Sequence, residues 1–321
     1  MTAAQDQSRT PPAAPGSDVA SLSFMSVSKW YGQISALSEV SFDVEPGVTG
    51  LVGQNGAGKS TIMKLAVGLS RPSQGEVLLS GGSPCDPGVR RTLGYCSDLD
   101  RYYERVSGRR FVTWMLRLQG FGAGQAAARA AETLEEFGLA DAMDRAIGGY
   151  SKGMRQRVKL AQALAHEPKV VLLDEPLTGL DPVARHDIVE LIRSLGERGK
   201  AILISSHVLH ELQDVAEQFL LVHQGRLLAE GGLGELREQI EGRPRQIALR
   251  SRQPRAVAAR LCTMPEIIGV RLTDDGIQVE TKGGSDLFGR LTRIGAEAGG
   301  LIEEIHPVDD NLEAVFEYLT S

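Results

Sequence analysis

The segment GQNGAGKST at 53–61 constrains the fold of this chain more than any other segment. It fits the pattern G-x-x-x-x-G-K-[ST] from Gly53 to Ser60. An apolar run, VTGLVG at 48–53, precedes it, and a run with helical spacing follows it. Because a loop of this kind connects a buried strand to the start of a helix, the segment predicts an α/β fold built on a parallel sheet.

The same loop has the chemistry of a phosphate-binding site. Its glycines let backbone N–H groups surround phosphate oxygens, and the helix that follows adds the positive end of its dipole. We expect Lys59 to reach the β- and γ-phosphates of a nucleotide, Ser60 to place its hydroxyl on Mg²⁺, and Thr61 to bind nearer the α-phosphate. The other loop residues expected to bind the nucleotide are Gly53, Asn55, Gly56, Ala57 and Gly58.

Two further apolar runs end in polar residues that suit catalysis. VVLLDEP at 170–176 places Asp174 where it can hold Mg²⁺ through the metal's water shell, and Glu175 where it can polarise an attacking water. SSH at 205–207 places His207 where it can contact the γ-phosphate and orient that water. A lone histidine at a strand end is more often structural than catalytic, so His207 depends on the other motifs for its assignment.

A second candidate anion site lies in YSKGMRQR at 150–157. A helix that begins on Ser-x-Gly, with basic residues in its first turns, is suited to receive an anion at its N-terminus. The segment lies far along the chain from the glycine-rich loop, and its residues alone leave the identity of the anion open.

Apolar runs and helical patterns divide the chain into parts. Residues 1–20 are poor in large apolar groups and predict a disordered tail. Residues 21–242 predict an α/β domain with strands such as KVVLLDE and KAILISSH, interrupted by a helical insert at about 98–165. Residues 243–321 follow the order β-α-β-β-α-β, which predicts a small α+β domain of the ferredoxin-like type.

Composition excludes several classes of protein. No run approaches the ~18–20 apolar residues that a membrane span requires. A net charge of −6 argues against general nucleic-acid binding, and so we expect no nucleic-acid partner. The three cysteines are far apart in the sequence, which favours reduced thiols over a metal site.

Taken together, these motifs resemble the ATP-binding subunits of ABC transporters over about residues 22–240. The resemblance implies a P-loop NTPase fold with a helical subdomain and an antiparallel β subdomain, and it implies ATP and Mg²⁺ as ligands. In VSKWYGQISAL it assigns Tyr31 to stacking on adenine, and in the TGLDP turn at 178–182 it places Asp181 at the nucleotide site.

The resemblance also implies which anion the YSKGMRQR helix awaits. In this family two subunits associate head to tail, so Ser151 and Gly153 would bind the γ-phosphate of ATP held by the partner subunit. The family commonly has Leu-Ser-Gly-Gly-Gln, and here Tyr150, Lys152 and Met154 depart from it. Lys152 either adds positive charge near that phosphate or faces solvent, and the sequence leaves both readings open.

A second departure from the family lies in LGYCSDLDRYYERVSGRR at 93–110. The family usually has glutamine where this chain has Asp98, close to Mg²⁺ and to the groove that receives the membrane subunit. Ser97 replaces the more usual proline, so the register of Asp98 is open by one residue. The residues expected to line the groove are Arg101, Tyr102, Tyr103, Arg105, Arg109 and Arg110.

The expected protein is therefore a cytoplasmic ATPase subunit, bound peripherally at the inner face of the cell membrane. It would act as a homodimer with permease subunits on separate chains, in an export-type system. A repair or ribosomal ABC protein, an inert regulatory module and a P-loop GTPase are the rivals. The sequence lacks the long coiled-coil insert of the first rival and the Asn-Lys-x-Asp segment of the third, and it retains the catalytic motifs that the second would have lost.

Overall fold

The structure is a computed structural model that describes residues 21–99, 103–239, 245–273, 276–282, 289–293, 302–307 and 311–320. These residues form two compact units that divide between Gly232 and Leu233. The predicted tail at 1–20 and the predicted boundary at Gly242 lie outside the described residues. Within the described ranges, no helix has the length and apolar character needed to cross a bilayer.

The first unit is built on a six-stranded sheet. Its strands are β3 (Gly47–Val52), β5 (Leu93–Cys96), β6 (Val170–Asp174), β7 (Ala201–Ser205), β8 (Gln218–His223) and β9 (Arg226–Gly231). Their order is β5-β6-β7-β3-β8-β9, and every pair is parallel except β8 with β9. Every residue of β6 and β7 is buried, as expected for central strands covered on both faces.

A second, antiparallel sheet supplies the β subdomain that the family resemblance implies. Its strands are β1 (Leu22–Tyr31), β2 (Ile34–Val44) and β4 (Gln74–Leu79), in the order β2-β1-β4. Phe24 and Phe42 stack across β1 and β2 with ring centroids 4.5 Å apart, inside a core that also includes residues of β3 and β6. The two sheets of this unit therefore share one hydrophobic core.

Helices follow the strands of the sheet and fill the insert. Those that follow strands are α1 (Lys59–Ala66), α2 (Pro87–Arg90), α6 (Pro182–Glu197) and α7 (Leu209–Gln213). The insert consists of α3 (Gly108–Leu118), α4 (Ala123–Glu136), a short 3₁₀ helix (Ile147–Gly149) and α5 (Lys152–Leu164). Residues 103–165 contain these helices and no strand, in agreement with the helical subdomain that the family resemblance implies.

The second unit has a four-stranded antiparallel sheet. Its strands are β10 (Arg245–Ser251), β11 (Ile267–Thr273), β12 (Gly276–Thr281) and β13 (Ile302–Pro307), in the order β11-β12-β10-β13. Its helices are α8 (Leu233–Glu238), α9 (Pro254–Leu261) and α10 (Leu312–Thr320), and residues 289–293 are helical as well. Because the segment around that last helix is only partly described, the ferredoxin-like assignment of the whole unit stays a prediction.

Candidate active site

The glycine-rich loop leaves the sheet at the end of β3 and enters α1 at Lys59. Gly58 has a φ of 114°, and a Cβ there would lie 2.7 Å from Cδ2 of Leu37. A Cβ on Gly53 would lie 2.5 Å from the carbonyl oxygen of Val222. Both glycines are therefore required by the local packing, and they hold the loop tightly against its neighbours.

Lys59 lies between the glycine-rich loop and the carboxylates of Asp174 and Glu175 at the end of β6. Its Nζ donates to the carbonyl oxygens of Gly53 at 2.5 Å and of Gln54 at 3.2 Å. Burial lowers the pKa of Lys59, and the nearby charges of Glu175 and Asp174 oppose that shift. Since an ammonium has three donors, one remains for a phosphate oxygen.

The order of the strands explains how these residues meet. Leu51 of β3 pairs with Ser205 of β7, and Ser205 pairs in turn with Asp174 of β6. β5 lies on the other side of β6, with Cys96 opposite Leu173. The carboxyl ends of all four strands therefore lie at one edge of the sheet, which is where open α/β sheets bind ligands.

Asp174 ends β6 and is only 8% exposed. Its Oδ1 accepts a hydrogen bond of 2.6 Å from the Ser205 hydroxyl. Burial raises the pKa of Asp174, and the charges of Asp98 and Glu175 raise it further, against the lowering effects of Ser205 and Lys59.

This crowding of negative charge fits a divalent cation, because a bound cation favours the ionised form of each carboxylate. Mg²⁺ in nucleotide sites is usually held by one or two carboxylates together with substrate phosphates and water. Asp174 with Asp98, and the exposed Ser60 at the start of α1, match that donor set.

Glu175 is held in an unusual backbone conformation. Its φ is 51°, in the left-handed region, and its N–H donates to the Ser205 carbonyl oxygen at 3.1 Å. Its Oε2 lies 2.7 Å from Nδ1 of His207 and accepts a hydrogen bond of 2.9 Å from the Thr178 hydroxyl. Strained backbone of this kind is typical of functional sites, where surrounding contacts fix a side chain.

Asp98 follows β5 and lies on the surface. The Ser97 hydroxyl donates to its Oδ1 at 3.2 Å. The Lys159 ammonium, which extends from α5, donates to the Ser97 carbonyl oxygen at 3.0 Å. The segment that carries Asp98 is therefore tied to the helix that begins at Ser151.

That helix, α5, begins as the sequence predicts. Ser151 is its N-cap, and the Ser151 hydroxyl accepts a hydrogen bond from the Met154 N–H at 3.2 Å. Tyr150 is buried instead, and its hydroxyl donates to the Ala142 carbonyl oxygen at 2.6 Å. Tyr150 thus anchors the helix start in the insert, while Ser151 and Lys152 remain exposed.

Lys152 is exposed, and its ammonium also has a neighbour within the subunit. A Cβ built on Gly179 would collide with Nζ of Lys152, so the ammonium lies directly over the turn at 178–181. Gly153 is also close to the next helix, since a Cβ there would lie 3.4 Å from Cβ of Ala184. The start of α5 and the turn after Glu175 are therefore in contact within one subunit.

Asp181 and Tyr31 take positions that the motifs alone do not determine. Oδ1 of Asp181 accepts a hydrogen bond of 2.9 Å from the Ala184 N–H, so Asp181 caps α6. Tyr31 is 46% exposed at the end of β1, and the Lys29 ammonium lies 5.1 Å from its ring centroid. Assignment of either residue to the nucleotide remains a proposal.

The residues predicted to line a groove differ in their contacts. Tyr103 makes an edge-to-face contact with Trp114, with centroids 6.2 Å apart, and Arg110 lies 4.9 Å from the same indole. Arg109 is paired with Asp144 at 2.7 Å. Arg105 is exposed, whereas the predicted positions Arg101 and Tyr102 lie outside the described residues.

Two residues of the site were not predicted from the sequence to contact the carboxylates. Ser205 holds both the carboxylate of Asp174 and the backbone of Glu175, and Thr178 donates to the side chain of Glu175. Ser205 lies in the quoted SSH segment and Thr178 in the quoted TGLDP turn. Their proximity to the carboxylates depends on strand order, which spacing along the chain does not reveal.

Known proteins are similar to this chain in sequence and fold. The family model for ABC transporters matches residues 37–178. An uncharacterized ABC transporter ATP-binding protein of Bacillus subtilis is 38% identical over 219 residues, which cover 68% of this chain and 73% of that protein. The daunorubicin resistance ATP-binding protein of Streptomyces coeruleorubidus is 33% identical over 297 residues, which cover 91% of this chain and 93% of that protein.

A solved structure described as the ATP binding subunit of an ABC transporter has a TM-score of 0.63 and 31% identity to this chain. The match covers 68% of this chain and 92% of the solved one. The sequence motifs, the sheet that gathers their residues and these similarities agree. The chain belongs to the ATP-binding proteins of ABC transporters, the ATPase subunits of those systems.

Proposed function

We propose that this subunit binds ATP with Mg²⁺ at the edge of the six-stranded sheet and hydrolyses it with Glu175 as the base. One observation carries the proposal. Nζ of Lys59 donates to the carbonyl oxygen of Gly53 directly after β3, Asp174 ends β6 of the same sheet, and Oε2 of Glu175 lies within hydrogen-bond distance, 2.7 Å, of Nδ1 of His207. A phosphate-binding cation, a metal-binding carboxylate and an oriented base are thus gathered at the end of one sheet.

The roles of the residues follow from their positions. The loop N–H groups and Lys59 would bind the β- and γ-phosphates. Ser60 and Asp174 would hold Mg²⁺, with Asp98 reaching it through water. When bound, the metal neutralises charge that develops on the phosphate oxygens.

Hydrolysis then requires a water aligned with the γ-phosphorus. Glu175 accepts a proton from that water while the oxygen of the water attacks phosphorus. The bond from phosphorus to the bridging oxygen breaks, which yields ADP and phosphate. His207 lies 2.7 Å from Oε2 of Glu175 and would fix the carboxylate through that oxygen, and it would also contact the γ-phosphate. Tyr31 would stack on adenine with the ring face that Lys29 leaves open.

We further propose that the catalytic form is a head-to-tail homodimer. Ser151 and Gly153 would bind the γ-phosphate held by the partner subunit, and Asp181 would lie at the same interface. The exposed start of α5 supports this arrangement, since the first N–H groups of a helix have no partner within the helix and attract anions. Closure of the dimer over ATP and its opening after hydrolysis would supply the mechanical step.

The partners would be permease subunits on separate chains, with this subunit at the cytoplasmic face of the membrane. The cluster of exposed Tyr103 and Arg110 against half-buried Trp114 supports a protein contact on this face. An export-type system is supported by the relative named for daunorubicin resistance, which matches over most of both chains. Residues 243–321 would form an accessory domain that the chemistry does not require.

ATPase assays on two variants and a control test the assigned chemistry. Lys59→Ala should weaken nucleotide binding, because the loop loses its charged phosphate donor, and kcat/KM should fall by about a hundredfold or more. Glu175→Gln should bind ATP with unchanged affinity and lower kcat by at least about a hundredfold, since the base is lost. Lys64→Ala changes an exposed lysine on the same helix and should leave both values unchanged.

The two variants separate binding from chemistry, so each has its own contrary result. Hydrolysis by Glu175→Gln at the wild-type rate would remove Glu175 from the mechanism. Unchanged nucleotide affinity in Lys59→Ala would remove the loop lysine from the phosphate site.

A further inference from the structure

The turn that follows the catalytic carboxylate contains a hydroxyl aimed back at it. The Thr178 side chain donates a hydrogen bond of 2.9 Å to Oε2 of Glu175, three residues earlier in the chain. The same oxygen is 2.7 Å from Nδ1 of His207, which donates to it in the Nδ1–H tautomer. Oε2 therefore serves two donors from two different segments of the chain.

The other oxygen of the same carboxylate is in a different situation. Across the part of the chain that the structure describes, no donor reaches Oε1 of Glu175. A carboxylate whose one oxygen is saturated by two fixed donors offers its other oxygen to the solvent side. The two donors thus determine which oxygen can accept a proton from water.

The turn that carries Thr178 is restricted at three points. Its N–H lies 3.4 Å from the Glu175 carbonyl oxygen and closes a tight turn. Gly179 has a φ of 68° and lies beneath the ammonium of Lys152. Asp181 fixes the far end of the turn by capping α6 through the Ala184 N–H. Because these contacts restrict the turn, the direction of the Thr178 hydroxyl is set by the fold.

We propose that Thr178 is a positioning residue for ATP hydrolysis, which together with His207 fixes Oε2 of Glu175 so that Oε1 acts as the base. The inference rests on the proposed function, since it assigns Thr178 a role only through Glu175. Thr178 acts after nucleotide binding, because by fixing Oε2 it orients Oε1, the oxygen that meets the attacking water. Hydrogen bonds to charged groups are stronger than neutral ones, and Glu175 is partly shielded from solvent.

Steady-state ATPase kinetics of the purified full chain test this role. Thr178→Val replaces the hydroxyl by a methyl group and keeps the branched shape of the side chain. We expect kcat to fall about fivefold to tenfold with KM within about twofold of wild type, the size of effect that loss of one such hydrogen bond produces. Thr178→Ser keeps the hydroxyl and should recover most of kcat.

Three companion variants make each result decisive. Thr178→Ala removes the same hydroxyl without adding apolar bulk and should match Thr178→Val, so the comparison with serine holds even if valine disturbs the turn. Thr263→Val removes an exposed hydroxyl that donates to the Arg260 carbonyl oxygen at 2.7 Å, and should leave kcat unchanged. Glu175→Gln is measured beside them to test the role on which the inference depends.

The contrary results differ for the two claims. If Thr178→Val and Thr178→Ala keep kcat within about twofold of wild type while Glu175→Gln is inactive, the role of Thr178 is wrong and that of Glu175 stands. If Thr178→Ser is as slow as Thr178→Val, the hydroxyl is not what matters and the inference fails. If Glu175→Gln is fully active, the proposed function and the inference fail together.

Discussion

At the scale of single residues, Asp174 shows the conflict between folding and function most clearly. The residue is 8% exposed, and both burial and the nearby charges of Asp98 and Glu175 raise its pKa. The Ser205 hydroxyl is a partial compensation. An ionised carboxylate at this position therefore lowers the stability of the metal-free protein, and its retention is explained by the cation that it would bind.

This conflict predicts that Asp174→Asn stabilises the metal-free protein. Asparagine keeps an acceptor for Ser205 and removes the buried charge, so the free energy of unfolding at pH 7 should rise by about 1 kcal/mol. Thermal or urea unfolding without Mg²⁺ measures the change. Addition of Mg²⁺ and ATP should then stabilise the wild type more than the variant, because the variant loses a metal ligand.

The pH dependence has a definite sign. A carboxyl whose folded pKa is raised contributes stability that is fully present below its unfolded pKa, about 3.9, and lost as pH rises through the folded pKa. The gain in the free energy of unfolding from Asp174→Asn should therefore be largest at neutral pH and should decrease toward zero as the pH falls toward 4. Asp43→Asn, at an exposed position on β2, serves as the control and should change stability by less than about 0.5 kcal/mol. A less stable Asp174→Asn at pH 7 would contradict the electrostatic account.

At the scale of elements, α6 shows how a helix start determines the geometry of the site. Asp181 caps it, Pro182 occupies its first turn, and the carboxylate lies at the positive end of the helix dipole. The turn at 178–181 ends on this cap, so the position of α6 fixes one end of the turn that begins beside Glu175. A capping residue thus contributes to the active site without any need to touch substrate.

Loss of this cap should have a measurable effect on stability. Asp181→Ala removes the acceptor of the Ala184 N–H and should lower the free energy of unfolding by about 1 kcal/mol. Asp181→Asn retains a capping oxygen and should lower the free energy of unfolding by only a few tenths of the loss expected for Asp181→Ala. Urea denaturation of both variants without nucleotide measures the difference. Equal stability of alanine and asparagine variants would show that the cap contributes little here.

The sequence predicted individual strands and helices better than it predicted the contacts between them. The strands at β3, β6 and β7 and the helices α5 and α9 follow from local patterns, because apolar runs, caps and glycine positions are properties of neighbouring residues. The loop at 53–61 is predictable for the same reason, since its strand, loop and helix are contiguous.

Contacts between elements could not be predicted in this way. Ser205 reaches Asp174 because β7 lies beside β6, and Lys152 lies over Gly179 because α5 is adjacent to the turn after β6. The sequence left two alternatives for Lys152, phosphate or solvent; the residue is exposed, and its additional contact with this turn was not predicted. The left-handed backbone of Glu175 is likewise a product of its hydrogen bonds to the neighbouring strand.

At the scale of the whole molecule, the described residues form one unit that carries every candidate site residue and a second unit with its own core. The first unit alone supplies half of each proposed composite site. Its loop and carboxylates would bind one ATP, and the start of α5 would bind the ATP of the partner. A single chain would therefore hold nucleotide without completing either site, and assembly becomes the step that activates hydrolysis.

The molar mass of Glu175→Gln in solution, measured by light scattering with and without Mg²⁺ and ATP, tests this account most directly. The account predicts a monomer without nucleotide and a stable dimer with ATP, because the closed state forms but cannot hydrolyse. Adding Ser151→Arg to that variant should preserve ATP binding and restore the monomer, since the arginine would occupy the place of the opposing γ-phosphate. ATP-induced dimers that form equally well with Ser151→Arg would contradict the cross-subunit site.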